Sequence, residues 1–475
     1  KIVLLFGCGG NRDQNKRSKM GEIASNYSDE IYLTDDNPRL ESPKKIRREI
    51  KKGIKKTKVI EISNRAKAIS KSIRKLKTGD ILLVAGKGHE IIQDFGKKKI
   101  YFSDRKIILK EIKTKNKNLS DNFKMNLIKE VSRNNRLSSS LSLNHVRINS
   151  REVSKNDAFF AIKGKKNDGN KFIGQSFKRG ASLAIVSNIQ NKLDVKRQIK
   201  VKNTLKFLTD VSKSFRENIN TKIIGVTGSC GKTTVKELLG KVLGKISKVS
   251  ISPKSYNNKY GVPLSLLNLK QNDDFGILEV GMDKKGEIDH LSRIIQPDVG
   301  VITNINYAHA KNFKNIKQIA LAKSEIIKNI KPSGFIVLNA DDNFFVLHKK
   351  IALLNNIKVI SFGIKNQKAD IKLLNIKKVK RRYLTKIRFG NKKKYFLLSN
   401  DFQNNIYNML CCLAVISIYK DIFKLHTHTF SNFKNPSGRG DNSKIQINNK
   451  RINLIDESYN SNPLSLRSAI LNYDK

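Results

Sequence analysis

The residue types and spacing with the clearest chemical meaning lie at residues 228–234, Gly-Ser-Cys-Gly-Lys-Thr-Thr. A β-branched apolar run at 223–226 precedes them, and an amphipathic stretch from Val235 to Leu243 follows. This order predicts a strand, a phosphate-binding loop and a helix. Loop glycines let backbone N–H groups converge on phosphate oxygens at the positive end of the helix dipole.

We expect this loop to bind ATP together with Mg²⁺. Lys232 would reach the terminal phosphates, and the Thr233 hydroxyl would bind magnesium. The full set of predicted loop contacts is Gly228, Ser229, Cys230, Gly231, Lys232, Thr233 and Thr234. The first glycine of the common loop pattern is Val226 here, and a glycine-rich turn without a ligand is the alternative interpretation.

Three further side chains could take part in the same chemistry. Glu279 ends a predicted strand, where ligands bind in open α/β sheets, and is a candidate magnesium ligand, although many strand ends carry an acid. His309 follows the next strand end on the same rim, where a lone histidine is usually structural or merely exposed. Lys323 lies on a predicted helix among small residues, and the residues alone favour an ordinary surface lysine.

The elements that would position these residues alternate between strand and helix patterns. This alternation predicts a multi-domain α/β protein with Rossmann-like parallel sheets, including a P-loop ATPase-type central domain. The polar residues 113–124 have no period and are expected to form a linker. The predicted divisions are 1–112, the linker at 113–124, a small domain at 125–221, the ATP-binding domain at 222–432 and an incomplete domain at 433–475.

The composition bears on whether the protein binds nucleic acid, holds a metal through cysteines or enters a membrane. The net charge of +55 would attract any polyanion, but the lysines are spread along the chain, so composition bias is a simpler cause than nucleic-acid binding. The basic segment 372–398 alternates like a solvated β-meander. The four cysteines have no metal-ligand spacing, and the adjacent pair Cys411 and Cys412 is expected to face a helix core. No signal peptide or membrane-length apolar run is present, which favours a cytoplasmic protein without membrane insertion.

The order of motifs from residue 125 onward resembles the Mur ligases. The phosphate loop is followed by Tyr-Asn-Asn at 256–258, Glu-Val-Gly at 279–281 and Ala-Lys-Ser-Glu-Ile at 322–326. Asn-Ala-Asp-Asp at 339–342, Gly-Arg-Gly at 438–440 and the segment 456–463 narrow the resemblance. The chain therefore resembles most specifically those family members that join D-Ala-D-Ala to UDP-MurNAc-tripeptide through an acyl phosphate.

The resemblance implies roles for individual residues. The lysine matching Lys323 is usually carbamylated in the family, which would make it an anionic magnesium ligand beside Thr233, Glu279 and His309 at two magnesium sites. The catalytic set would be Lys232, Lys323 and His309. Asn339 and Asp341 would lie near adenine and ribose, with Asp456 joining the ATP site from the last domain; the UDP-substrate contacts would be Ser150, Arg151, Asn257 and Asn258.

Residues 1–112 resemble a different part of the same family, the amino-acid-binding domain of the meso-diaminopimelate-adding members. The matching pieces are Asp-Asn-Pro-Arg at 36–39 and Gly-Lys-Gly-His-Glu at 86–90. A zwitterionic amino acid needs guanidinium groups for its carboxylates and acids for its amines. The implied diaminopimelate contacts are Arg12, Asp36, Asn37, Pro38, Arg39, Gly86 and Glu90.

The sequence therefore predicts an ATP-dependent amide ligase of peptidoglycan precursor synthesis, fused to the amino-acid-binding domain of the preceding ligase. Its partners would be UDP-MurNAc-peptide, D-Ala-D-Ala and meso-diaminopimelate. We expect the chain to be truncated at both ends, because residue 1 opens a strand and residue 475 falls inside a domain. Two alternatives stay open: a basic P-loop NTPase that binds nucleic acid, and a catalytically incomplete fragment.

Overall fold

A computed structural model of the chain describes residues 1–76, 80–88, 90–133, 143–164, 167–270, 272–307, 312–380, 382–399, 405–433, 435–447 and 450–459, with 466 and 470. The chain divides into two compact units, Lys1–Phe123 and Lys124–Lys475. The mixed α/β architecture with parallel sheets confirms the predicted fold class. Among the described residues, every helix is too short or too polar to cross a membrane.

The first unit is a four-stranded parallel sheet in the order β3-β2-β1-β4, with helices between successive strands. A short antiparallel hairpin, β5–β6, follows β4. The elements are β1 (Ile2–Phe6), α1 (Asn15–Tyr27), β2 (Glu30–Leu33), α2 (Pro43–Lys52), β3 (Lys58–Glu61), α3 (Arg65–Lys75), β4 (Ile81–Val84), β5 (Ile92–Asp94) and β6 (Lys99–Tyr101). This doubly wound pattern is the one that the sequence predicts for residues 1–112.

Residues 113–124, which the sequence predicts as a linker, lie within a helix. They are helical throughout, because a single helix, α4, runs over Asp104–Ser132. The segment lacks a sequence period, but it also lacks glycine and proline across the whole of α4. Lysine, leucine and glutamate are good helix formers, so nothing local stops the helix once it has started.

The second unit begins with a small parallel sheet in the order β10-β9-β8-β7. Its buried strands are short and apolar, and α6 carries the chain onward to the large sheet. The elements are β7 (Val146–Arg147), β8 (Ala158–Phe160), α5 (Ile173–Lys178), β9 (Leu183–Val186), β10 (Gln198–Lys200) and α6 (Thr204–Glu217), with single turns of 3-10 helix at Ser150–Glu152, Gly169–Phe172 and Val195–Arg197.

The large sheet has nine strands in the order β12-β13-β11-β14-β15-β16-β17-β18-β19. It is parallel from β12 to β17 and antiparallel from β17 to β19. Its parallel part contains β11 (Lys222–Thr227), α7 (Lys232–Leu243), β12 (Val249–Ile251), α8 (Gly261–Leu267), β13 (Phe275–Glu279), α9 (Glu287–Ile295), β14 (Val299–Ile302), α10 (Ile316–Ser324), β15 (Phe335–Asn339), α11 (Phe345–Leu354) and β16 (Lys358–Gly363).

The basic segment forms the predicted meander at the edge of this sheet. Its strands are β17 (Ile371–Val379), β18 (Arg382–Phe389) and β19 (Lys392–Ser399), followed by α12 (Ile406–Ser417). A final antiparallel hairpin pairs β20 (Asp441–Ile447) with β21 (Lys450–Asp456). The sequence predicts β21 but not β20, whose Asp-Asn-Ser-Lys start reads as a polar turn.

The main core lies between the large sheet and helices α7 and α12. Residues 409–416 of α12 are fully buried, and this group includes the adjacent cysteines Cys411 and Cys412, as the sequence predicts. Burial raises the pKa of the Cys412 thiol well above its usual value. Each large apolar side chain buried here contributes about 1.5–3 kcal/mol, so the core holds the first turn of α7 in place behind the phosphate loop.

Candidate active site

The loop between β11 and α7 is shaped by two glycines with positive φ, Gly228 and Gly231, and by the residues that follow the neighbouring strand β14. Gly228 has φ 144°, and a Cβ there would lie 1.9 Å from the Thr303 hydroxyl oxygen. The amide of Ser229 donates to the backbone carbonyl of Asn304 at 2.9 Å, and the amide of Cys230 donates to the side-chain oxygen of the same Asn304 at 3.0 Å. The loop is therefore fixed from one side, while the first amides of α7 have no partner inside the helix.

Lys232 folds back over this loop. Its Nζ donates to the carbonyl of Gly228 at 2.8 Å. Burial lowers the pKa of Lys232, the carboxylate of Glu279 opposes that effect, and Arg439 adds to it. A half-buried cation held by backbone carbonyls is poised to exchange those weak acceptors for a phosphate, which is a stronger one.

Glu279 joins three elements around its carboxylate. One oxygen accepts a hydrogen bond from the Thr233 hydroxyl at 2.7 Å, and the other accepts from the side-chain amide of Asn257 at 2.8 Å. Glu279 is 1% exposed, and within the described ranges no cation forms an ion pair with it. A buried carboxylate bonded only to neutral groups is a strong acceptor for a divalent cation.

Lys323 lies on α10 and is 1% exposed, so it is not the surface lysine that the residues alone suggest. Burial, with Lys232 nearby, lowers the pKa of Lys323 well below its usual value. Among the residues that the structure describes, no hydrogen bond to its Nζ is present. His309 lies outside the described residues, which resume at Asn312, and the described part of the chain holds no cluster of three or more histidine, cysteine or acidic side chains suited to a metal.

A cavity of about 1210 Å³ opens in front of the loop. The residues that the structure brings to its wall include Ser229, Cys230, Gly231, Lys232, Thr234, Asn257, Asn258, Glu279, Asn304, Asn339, Asp341, Asp342, Asn405, Tyr407, Asn408, Arg439, Glu457 and Tyr459. This volume exceeds that of one ordinary small-molecule pocket, so more than one substrate fits in it.

The residues predicted to lie near adenine and ribose, together with Asp456, differ in whether they line the cavity and in how far hydrogen bonds within the protein already occupy their side chains. Asn339 and Asp341 both line the cavity. The carboxylate of Asp341, however, accepts three backbone amides of the turn 364–366 and the Tyr407 hydroxyl. Although burial works in the opposite direction, these bonds lower the pKa of Asp341. Asp456 is not in the cavity wall; its side chain accepts the amide of Ser458 at 2.9 Å, and Glu457 lines the cavity instead.

The predicted UDP-substrate residues are split between two places. Asn257 and Asn258 line the cavity, and the side-chain oxygen of Asn258 also accepts the amide of Gly261 at the start of α8. Ser150 and Arg151 lie in the small sheet's domain. Ser150 is buried and donates to Gln175 at 2.7 Å, whereas Arg151 is exposed.

In the first unit, a second polar cluster forms around the Asp-Asn-Pro-Arg segment. Asp36 and Asn37 are buried, and the Asn37 side chain donates to Glu90 at 2.7 Å. Burial raises the pKa of Asp36, whereas the Asn37 bond lowers the pKa of Glu90. Gly86, at φ 113°, permits a close approach, because a Cβ there would lie 2.5 Å from an Asp36 oxygen.

The other predicted members of this cluster take different positions. Pro38 is buried, and Arg39 donates to the carbonyl of Gly10 at 2.6 Å. Arg12 is exposed, and within the described residues it makes no hydrogen bond to this cluster. The sequence prediction omits Lys87, which is 2% exposed and contacts both Asn37 and Glu90. Its place inside Gly-Lys-Gly was the available signal, since a buried acid such as Asp36 needs a cation nearby.

Profiles of three Mur ligase domains match this chain. The profile described as Mur ligase middle domain matches residues 226–416, and that of the Mur ligase family catalytic domain matches 142–216. The profile described as Mur ligase, glutamate ligase domain matches residues 1–88. The middle-domain range contains the phosphate loop, and the catalytic-domain range contains the small parallel sheet. The glutamate ligase range contains the parallel sheet of the first unit.

Related proteins and a solved structure agree with these matches. UDP-N-acetylmuramoyl-tripeptide–D-alanyl-D-alanine ligase of Rickettsia prowazekii is 31% identical over 343 residues, covering 70% of this chain and 73% of that protein. The crystal structure of the MurF ligase from Thermotoga maritima in complex with ADP matches with a TM-score of 0.58 and 27% identity, covering 69% of this chain and 74% of that one. The fold is that of ATP-dependent ligases of peptidoglycan synthesis, and the chain belongs to the Mur ligase family.

A second relative matches a shorter stretch. UDP-N-acetylmuramoyl-L-alanyl-D-glutamate–2,6-diaminopimelate ligase of Rickettsia rickettsii is 56% identical over 113 residues, which is 24% of each protein. The chain thus combines segments similar to two different ligases of the family, as the sequence predicts, and the nucleic-acid-binding alternative is not favoured.

Proposed function

We propose that the second unit joins D-Ala-D-Ala to UDP-MurNAc-tripeptide with hydrolysis of ATP. The observation that carries this proposal is the hydrogen bond from Thr233 to Glu279 beside the phosphate loop, because Glu279 lines the cavity together with the predicted substrate residue Asn257. The similarity to D-alanyl-D-alanine ligases supports the choice of amine. ATP and nucleotide-linked substrates make the cytoplasm the expected compartment.

In the first step, the terminal carboxylate of the UDP-linked peptide attacks the γ-phosphorus of ATP. The bond between that phosphorus and the bridging oxygen breaks, giving an acyl phosphate and ADP. Phosphoryl transfer depends mainly on positioning and on neutralising charge. Lys232 and the first amides of α7 would hold the terminal phosphates, and Gly228 keeps the loop backbone close to them.

In the second step, the amine of D-Ala-D-Ala attacks the acyl carbon and forms a tetrahedral intermediate. The carbon–oxygen bond to phosphate then breaks, inorganic phosphate leaves with its electron pair, and the nitrogen loses a proton. The cationic wall made by Lys232 and Arg439 suits both the anionic intermediate and the departing phosphate. The cavity has room for the nucleotide and both peptide substrates.

Magnesium and a carbamylated lysine fit the residues present. Thr233 and Glu279 would hold one Mg²⁺, which would neutralise charge on the phosphate oxygens. Carbamylation requires a neutral amine, and burial favours that form of Lys323. His309 and the carbamate of Lys323 are proposed as ligands of a second Mg²⁺.

The direct test is ATP turnover by the purified chain. We expect ADP release to require both UDP-MurNAc-tripeptide and D-Ala-D-Ala, and a mass gain in the UDP product to match one dipeptide. Lys232→Ala should lower turnover by about 10²-fold or more, yet leave binding of the UDP substrate unchanged in calorimetry. Turnover that responds to DNA or RNA instead of these substrates would reject the proposal.

For the first unit, we propose binding of meso-diaminopimelate. The carboxylates of Asp36 and Glu90 and the cations Lys87 and Arg39 form one cluster that runs from the buried Asp36 and Lys87 to the exposed Glu90, which suits a ligand with two amino and two carboxyl groups. The similarity to a 2,6-diaminopimelate ligase supports this ligand. Calorimetric titration should detect meso-diaminopimelate and not lysine; equal heats for both would contradict the proposal.

A further inference from the structure

Lys236 is a fully buried lysine one turn after Thr233 on α7. Its Nζ donates to the carbonyl of Ser252 at 2.7 Å and to that of Lys254 at 2.5 Å, and it lies 3.2 Å from a carboxylate oxygen of Glu237. An ammonium group taken out of water needs such partners, because an unpaired buried charge is strongly unfavourable. The position is therefore specified by its contacts and not by packing alone.

The two carbonyls lie at either end of a turn whose own backbone hydrogen bond, from the amide of Tyr256 to the carbonyl of Pro253, involves neither of them. Lys254 has φ 47°, which is the left-handed region that a residue with a side chain rarely adopts. Both carbonyls converge on a single Nζ, so the lysine bridges the two ends of the turn. A side chain without donors at position 236 would remove the donor that both carbonyls share and would allow the turn to relax.

This turn reaches Glu279 by two routes. The amide of Glu279 donates to the Ser252 hydroxyl at 3.2 Å. Downstream of the turn, Asn257 donates from its side chain to a Glu279 carboxylate oxygen at 2.8 Å. Thr233 completes a closed ring, because it lies on the same face of α7 as Lys236 and donates to the other Glu279 oxygen.

We infer that Lys236 is a positioning residue that sets the orientation of the Glu279 carboxylate relative to the phosphate loop, and so tunes magnesium binding. The inference rests on the proposed function, since it takes Thr233 and Glu279 as magnesium ligands. Lys236 acts through Ser252 and the turn 252–254 and does not touch the metal itself. Groups that orient metal ligands in this way affect metal affinity nearly as strongly as the ligands do.

The test measures how Mg²⁺ strengthens ADP binding in calorimetry, which needs no turnover. Lys236→Met fills a similar volume and removes the donors. We expect the Mg²⁺ concentration at half-effect to rise roughly 10-fold or more, with ADP affinity in the absence of Mg²⁺ unchanged. Lys245→Met removes the same charge at an exposed site just past α7 and should behave as wild type.

A double-mutant cycle separates positioning from general destabilisation. Ser252→Ala should raise the half-effect concentration by itself, and Lys236→Met should add little to it, because both act on Glu279 through one turn. Additive effects, or an unchanged Mg²⁺ dependence in folded Lys236→Met, would overturn the inference. If Lys236→Met does not fold, Ser252→Ala alone decides: an unchanged Mg²⁺ dependence in that variant would also overturn it.

The failure of the proposed function would look different. A wild-type chain that binds Mg²⁺ and ADP cooperatively but shows no turnover with D-Ala-D-Ala would reject the reaction and leave the role of Lys236 intact. A wild-type chain in which Mg²⁺ does not affect ADP binding would reject the metal assignment and the inference together.

Discussion

Two lysines, Lys232 and Lys323, give this site its electrostatic character. Lys232 is half-buried and lies in the cavity wall, whereas Lys323 is fully buried and lies outside that wall. The positive charge of Lys232 adds to burial in lowering the pKa of Lys323. Each amine therefore gains from an anion: Lys232 from phosphate, and Lys323 from conversion into a carbamate.

The carbamate proposal predicts chemical rescue. Lys323→Ala should abolish turnover, because a magnesium ligand is lost, and added acetate or formate should restore part of it by occupying the vacated space. Turnover at increasing acetate concentration is the measurement. Lys317→Ala, an exposed lysine on the same helix, is the control and should be unaffected. A folded Lys323→Ala protein that no carboxylate rescues would count against carbamylation.

The lowered pKa of Lys323 also predicts how stability depends on pH. Its folded-state pKa lies below the unfolded value of 10.5, so the unfolded chain binds more protons between those two values. The free energy of unfolding must therefore rise with pH in that window, by at most about 1.4 kcal/mol per pH unit for one proton. Urea unfolding in bicarbonate-free buffer should show a steeper rise for wild type than for Lys323→Met; equal slopes would contradict the shift.

At the scale of elements, the phosphate loop depends on close approach between two strand ends. Gly228→Ala would place a Cβ 1.9 Å from the Thr303 hydroxyl, so the loop must move away from β14. We expect ADP affinity to fall by roughly 10-fold or more, a cost of about 1.4 kcal/mol or greater. Calorimetric titration with ADP is the measurement.

The matched control for that variant is Gly390→Ala in the turn between β18 and β19. Gly390 also has a positive φ, 55°, but a Cβ there has nothing within 4 Å. The variant should lose about 1 kcal/mol of stability, as a left-handed residue with a side chain does, and keep normal ADP affinity. Equal losses of ADP affinity in both variants would show that general backbone strain, and not contact with Thr303, is responsible.

The sequence predicts elements better than it predicts contacts between them. The strand-loop-helix around residues 222–243 and the buried pair Cys411–Cys412 follow from local periodicity, and the structure contains both. The course of helix α4 through residues 113–124 was missed because its stability there comes from the absence of helix breakers and not from an apolar period. Strand β20 was missed because it is specified by pairing with β21.

The site shows the same division between local and long-range information. Glu279 could be proposed from its strand end, but the bonds from Thr233 and Asn257 depend on chain folding over separations of 46 and 22 residues. Lys236 reads as an ordinary helical lysine until the turn 252–254 is seen against it. Asn304, which fixes two loop amides, likewise has no local signal.

At the scale of the whole molecule, the chain carries segments similar to two ligases. The match to the Mur ligase, glutamate ligase domain occupies residues 1–88, and the matches to the catalytic and middle domains follow it. All residues of the described cavity wall fall between Leu205 and Tyr459, inside the second compact unit. Nucleotide binding should therefore belong to that unit alone.

This assignment predicts the behaviour of a shortened chain. Residues 124–475 should fold and bind ADP with Mg²⁺ within about 2-fold of the full-length affinity, a difference of about 0.4 kcal/mol. The start at Lys124 keeps Met125, Leu127 and Ile128 of α4, whose side chains are buried. Calorimetry with ADP compares the two chains, and residues 1–123 provide the control that should bind meso-diaminopimelate but no nucleotide. A folded 124–475 chain that fails to bind ADP would mean that the first unit contributes to the nucleotide site.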